Sequence, residues 1–187
     1  MEPGPSPDRS VRLAPLSDEE LSPRQREVLE PLLVGPTRNI YTTLVRAPDL
    51  AEAMTTLGRN LRGDGIPLRH RETLILRTGW NCRSNYEFAQ HRRLANHGGM
   101  TDADVQRIID GPDAPGWDPI ERTLCTLADE LHERQQVSDD TWNALAADYD
   151  DAQLIQAVLL VGYYHLVSFS LNAFGTPLEP GAVGFEG

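Results

Sequence analysis

Cysteine is nearly missing from this chain: Cys82 and Cys125 are the only two among 187 residues. Two distant thiols and no CxxC pair exclude a disulfide framework and a cysteine-rich metal cage. Basic residues are also scarce, seventeen against twenty-eight acidic ones, for a formal charge of −11. Such a surface repels both a phosphate backbone and an anionic bilayer, so neither nucleic acid nor membrane is expected as a partner. The only basic clusters, RHRETLILR and HRR, read as a pocket edge or a solvated helix face. Long apolar runs are few. LIQAVLLVGYYHLVSFSL (154–171) is near the lower length limit for a membrane span, but it carries Gln156, His165 and two serines and lacks basic flanks. A buried core helix fits it better. The start, MEPGPSPDRS, shows no charged segment followed by an apolar run, so residues 1–20 read as a flexible leader, not a signal peptide. A reduced, cytoplasmic protein is the expectation.

What is present is a succession of helices separated by cap signals, with no convincing alternating strand. In LSPRQREVLEPLL, Ser22 is an N-cap, Pro23 takes the first helical position and Gln25 completes a capping box. APDLAEAMTTLGRNLR spaces Leu50, Met54, Leu57 and Leu61 as one helix face, and LRHRETLILRTGW repeats the pattern through Leu68, Leu74 and Ile75. Thr101, Asp118 with Pro119, Ser138, and Asp150 or Asp151 open further helices, and Gly175 ends the last one. The reading is all-α: a single-domain bundle of about eight helices over 21–180, with a Gly-rich tail at 181–187.

The stretch NCRSNYEFAQH (81–91) concentrates chemistry. Ser84 three residues before Glu87 has the spacing of a capping box. Glu87 and His91, four apart, share a helix face and can touch. A carboxylate beside an imidazole orients the ring and raises its basicity, an arrangement suited to general-base work near neutral pH. The plainer reading is a surface ion pair. Tyr86 and Gln90 form the adjoining stripe.

The pattern Glu72, eleven residues, Ser84, two residues, Glu87, three residues, His91 resembles the signature of the carboxymuconolactone decarboxylase and alkyl hydroperoxidase D superfamily. Its peroxidase branch has cysteines where Ser84 and Glu87 stand. The segment TLILRTGWNCRSNYEFAQHRRLANHGGMTDADV is similar to the decarboxylase-like branch, where a Tyr–Glu–aromatic run precedes the same histidine. The likeness extends over roughly 21–180. It implies an alkyl hydroperoxidase D-like helical fold, a small-molecule substrate and a homo-oligomer (dimer, trimer or hexamer). It also implies that Glu72 turns inward to His91 instead of pairing with Arg69 or His70. Peroxide reduction by that branch needs an attacking thiolate and a resolving thiol. Ser84 and Glu87 can supply neither.

The expected function is therefore a cofactor-independent enzyme doing acid/base chemistry: decarboxylation, lactone opening or closing, isomerisation or dehydration. His91 is its general acid/base, Glu87 and Glu72 orient and tune it, and Tyr86 donates to a developing oxyanion. Trp80, Cys82, Ser84, Tyr164, His165 and Ser168 are candidates for substrate binding. His165, Ser168 and Asn172 make a polar stripe on an apolar helix, which must be satisfied by hydrogen bonds or serve the pocket. No metal is expected, since His91 and Glu87 lack a third ligand and His70, His97 and His132 read as exposed or helix-terminal. Cys82 and Cys125 read as small buried hydrophobes, and Trp80, Trp117 and Trp142 as core or pocket wall. The alternatives are a peroxiredoxin-like oxidoreductase using Cys82 with an external thiol, and a non-catalytic ligand-binding homologue.

Overall fold

The computed structural model describes residues 10–33, 35 and 37–185, which form nine α-helices, one short 3-10 helix and no strand. The helices are α1 (Pro23–Leu29), α2 (Asn39–Leu44), α3 (Pro48–Leu61), α4 (Leu68–Asn81) and α5 (Asn85–His97), then α6 (Asp102–Asp110), α7 (Pro119–Arg134), α8 (Asp139–Ala146) and α9 (Asp151–Phe174). The cap signals act as the sequence suggests. Ser22–Gln25, Thr101–Asp104 and Asp150–Gln153 are reciprocal capping boxes, and the Asp118 and Ser138 side chains accept from the first turns of α7 and α8. Each cap satisfies donors that a helix start leaves unpaired, worth about 1 kcal/mol apiece. Gly175 ends α9 in the left-handed region at φ 65, where a β-carbon would be strained.

The bundle is built around α4, which packs against α5, α7 and α9. Leu74, Leu124, Leu127, Ala157, Leu160 and Tyr164 form the middle of the main core. A smaller cluster of Leu16, Leu21, Val28, Leu29, Val45 and Ala51 seals the other end. A third joins Leu76, Phe88, Val105 and Ile108 to the half-buried Trp80 and Phe185. Full burial of each such Leu, Ile or Phe contributes about 1.5–3 kcal/mol.

Four details differ from the sequence reading. Helix α3 buries Ala51, Thr55, Gly58 and Leu61, while Leu50 and Leu57 are exposed. The face is rotated by about one residue because small side chains admit a close neighbour: a β-carbon at Gly58 would stand 2.3 Å from the Tyr163 hydroxyl. Trp142 is exposed and is neither core nor pocket wall. Of the segment read as a leader, residues 1–9 lie outside the described residues. The remainder is tied down, with Leu16 buried and the Arg12 amide bonded to the Phe174 carbonyl. The tail is likewise docked through Phe185, which packs on Trp80 and Phe88 and donates its amide to Asn85.

Helix α9 is long and apolar enough by length and composition to cross a membrane, yet half of its apolar window is buried within the bundle. Its buried side carries Leu154, Leu160, Val161, Tyr164, Val167 and Leu171. The opposite side exposes Ile155, Leu159, Leu166 and Phe169.

Candidate active site

Helices α4 and α5 form an antiparallel pair joined by Cys82, Arg83 and Ser84. The link reverses tightly because Arg83 adopts φ 51 and the Ser84 amide reaches back to the Gly79 carbonyl at 2.9 Å. Ser84 occupies the N-cap position of α5, but its side chain makes no cap bond, so the expected Ser84–Glu87 capping box does not form. The Ser84 hydroxyl is buried without a hydrogen-bond partner among the described residues. The Glu87 carboxylate is thereby free to reach one turn further, to His91.

The turn also lays His91 beside Glu72 of α4. His91 Nδ1 is 2.7 Å from Glu72 Oε2, and Nε2 is 3.0 Å from Glu87 Oε1. All three side chains are almost wholly buried, and Arg71 Nε lies 3.5 Å from the second Glu72 oxygen. Burial alone disfavours charge on the ring, but Glu72 and then Glu87 outweigh it and raise the His91 pKa to about 9. At neutral pH the ring is an imidazolium. The second carboxylate raises the basicity of the imidazole further than the Glu87–His91 pair read from the sequence would alone.

Glu87 and His91 open onto a cavity of about 250 Å³, which Tyr41, Arg62, Tyr163 and Tyr164 also line. Its size suits a small organic molecule. Tyr164 sets its ring edge-on to His91 at a centroid distance of 5.0 Å, and its hydroxyl accepts from Arg62 Nη1 at 3.2 Å. Burial raises the Tyr164 pKa well above its usual value, so it stays a phenol. Arg62 has no carboxylate within ion-pair distance among the described residues, which leaves a half-buried cation on the cavity wall.

The other sequence candidates divide. Tyr86 lines the cavity, but its hydroxyl donates to Glu179 at 2.7 Å and accepts from the Ile40 amide at 3.2 Å. Its proton is committed to the carboxylate that also accepts from the Arg38 and Asn39 amides at the start of α2. An oxyanion-donor role for Tyr86 does not fit this geometry. Trp80 faces Phe88 and Phe185, and Ser84 is sealed in the α4–α5 link, so neither borders the cavity. Cys82, His165 and Ser168 also lie elsewhere. His165 Nε2 is 3.0 Å from His132 Nδ1, and Asn172 Nδ2 donates to the Cys82 carbonyl at 2.8 Å. The α9 stripe therefore serves a second polar cluster, because Tyr164 and His165, adjacent on a helix, point in different directions. His132, read as exposed or terminal, is half-buried in that cluster.

Sequence reasoning missed Arg62, Tyr41, Tyr163 and Glu179. Arg62 sits in the polar run GRNLR, with nothing in its spacing to mark it. The paired tyrosines of VGYYHL were the available signal, since phenols on an apolar helix need partners.

The all-helical bundle, with a histidine clamped between two buried carboxylates beside a small cavity, has the alkyl hydroperoxidase D-like fold. Residues 48–130 match the carboxymuconolactone decarboxylase family profile. No curated protein sequence matches the chain. Solved structures share its fold. One is an uncharacterised peroxidase-related protein with an alkylhydroperoxidase AhpD core from Ralstonia eutropha JMP134, at 15% identity and TM-score 0.75, covering 89% of this chain and 92% of its own. Another is a variant of the debrominase Bmp8 in complex with 2,3,4-tribromopyrrole, at 17% identity and TM-score 0.70, covering 89% and 91%. A third is a protein of unknown function from Agrobacterium tumefaciens, at 16% identity and TM-score 0.68, covering 72% and 94%.

Proposed function

We propose that the protein is a cofactor-independent enzyme that transfers a proton to a small organic anion, with Glu87 as the contact group. The carrying observation is the Glu72–His91–Glu87 array. Both ring nitrogens of His91 are engaged, so a proton reaches the cavity through Glu87, whose Oε1 takes it from Nε2 and, as the carboxyl group turns, hands that same proton to the substrate while Nε2 is left with a lone pair. A resting imidazolium favours steps that end in protonation. In a decarboxylation the C–CO₂ bond breaks, its electron pair forms an enolate, and the relay returns a proton to carbon before recharging from water. Arg62 and the Tyr164 phenol supply positive charge and a hydrogen-bond donor for the enolate oxygen, the role first read onto Tyr86. Arg62 holds the substrate carboxylate. The thiol reading gains no support: burial pushes the Cys82 thiol up to about 12, and Cys82 does not line the cavity.

The test is a panel of small β-keto and unsaturated acids and lactones, followed by NMR in D₂O for CO₂ release and deuterium entering carbon. At least one acid should turn over, and Arg62→Gln should raise its KM by about 10–100-fold, the scale of a lost charge-assisted contact. Failure of every acid to exchange, or indifference to Arg62→Gln, overturns the reading.

We also propose that the chain pairs with a second copy through α9. The exposed stripe Ile155, Leu159, Gly162, Leu166 and Phe169 repeats at four, three, four and three residues and carries no charge. A β-carbon on Gly162 would meet nothing within 4 Å, and Gly162 lies at the stripe's midpoint, where a two-fold crossing needs close approach. Sedimentation is expected to give a multiple of the 20.8 kDa chain mass. Leu159→Glu with Phe169→Glu should return it to the single-chain value, and a monomeric wild type at micromolar concentration removes the claim. Both thiols being free accords with a cytoplasmic setting, which is part of the same proposal.

A further inference from the structure

The second polar cluster has the makings of a site. Cys82 at the end of α4, His132 on α7 and His165 on α9 place one thiol and two imidazole nitrogens within 4.8 Å of one another. The two histidine rings stack at a centroid distance of 5.2 Å. We propose that Cys82, His132 and His165 bind one zinc-class transition-metal ion, with a fourth position left for water or an external ligand.

The donor set selects the ion. One thiolate and two imidazoles suit Zn(II) or Co(II), whereas Mg(II) and Ca(II) take oxygen ligands. Bonds of about 2.0–2.1 Å to nitrogen and 2.3 Å to sulfur put tetrahedral ligand atoms roughly 3.3–3.6 Å apart. The His132–His165 separation of 3.0 Å is therefore a few tenths of an ångström short, and the thiol needs to move by no more than about 1 Å.

The surroundings are those of a metal site. His165 Nδ1 donates to the Val161 carbonyl at 2.9 Å, which leaves the lone pair of Nε2 facing the cluster. Asn172 holds the backbone carbonyl of Cys82. The Ser168 hydroxyl is fully buried beside the thiol without a properly aligned hydrogen-bond partner, and a metal-bound thiolate gives it an acceptor. All three ligands are half-buried, so an ion can enter from solvent. On binding, the Cys82 S–H bond breaks and its proton leaves to water, while His132 moves its proton from Nδ1 to Nε2. One proton is released per ion. The ion would clasp the α4–α5 link to α7 and α9.

The experiment uses the full chain, stripped with a chelator and titrated with Co(II), then Zn(II). One equivalent of Co(II) should give thiolate-to-metal charge-transfer absorption and the intense visible bands of a tetrahedral centre, and Zn(II) should abolish both. Cys82→Ser should remove the charge-transfer band. His132→Ala and His165→Ala should weaken Zn(II) affinity, measured against a chromophoric chelator, by at least about 10–100-fold. In the wild type, one equivalent of Zn(II) should shield Cys82 from alkylation, with the buried Cys125 as internal reference. That measurement needs no variant to fold. An absent charge-transfer band, alkylation of Cys82 unchanged by Zn(II), or binding that survives all three substitutions would overturn the site. So would binding that disappears in His91→Ala, which would place the ion in the cavity.

Discussion

His91→Ala is expected to lower turnover by about 10²–10⁴-fold, the usual contribution of a positioned acid/base group. It should also destabilise the protein, since removing the imidazolium strands the Glu72 and Glu87 carboxylates in a dry interior. Breaking a buried ion network from one side costs about 3–5 kcal/mol. A surface ion pair would have cost a few tenths and left turnover alone. The two effects are separable. Activity is measured at a temperature where circular dichroism shows the variant folded, and imidazole is then added to fill the space the side chain left. Partial recovery of turnover identifies a proton carrier. Turnover within twofold of the wild type in folded His91→Ala would remove His91 from the chemistry. Glu87→Gln should cost more turnover than Glu72→Gln, because Glu87 borders the cavity and Glu72 acts only through the ring.

Stability should fall as pH rises from about 6.5 towards 9, the reverse of an acid-labile protein. The folded-state His91 pKa, about 9, lies above its ordinary value of 6.5. The folded state therefore holds this proton more tightly than the unfolded chain. The stabilisation is complete below pH 6.5 and is lost as pH climbs through about 9. A shift of that size corresponds to about 3 kcal/mol, at roughly 1.4 kcal/mol per unit. Urea unfolding at pH 6.5, 7.5 and 8.5 measures the slope. His132, whose pKa is lowered by burial and by His165, changes charge below this window. The buried thiols begin to contribute only near pH 9, their ordinary value. A flat wild-type profile, or the same slope in His91→Gln, would mean that the two carboxylates do not hold the proton.

The sequence by itself determined the helices and most of their ends. Caps are local chemistry: Ser22, Thr101, Asp118, Ser138 and Asp150 bond to amides two or three residues away, so spacing alone reveals them. The Glu87–His91 contact was legible for the same reason, being four residues apart on one helix. Glu72 was placed inward by a family resemblance, not by its neighbours in RHRETLIL, and only the α4–α5 packing brings it to 2.7 Å from the ring. That packing sets the electrostatics of the ring. One carboxylate makes an imidazole a base near neutrality, and a second, in a low-dielectric interior, keeps it protonated. Tertiary structure also decided which polar residues share a space. Arg62 joins the cavity from α3, Tyr86 is claimed by Glu179 from far along the chain, and His165 turns from the cavity to meet His132 and Cys82. Burial and long-range charge depend on every element that closes around a group, and no local spacing in the sequence records them.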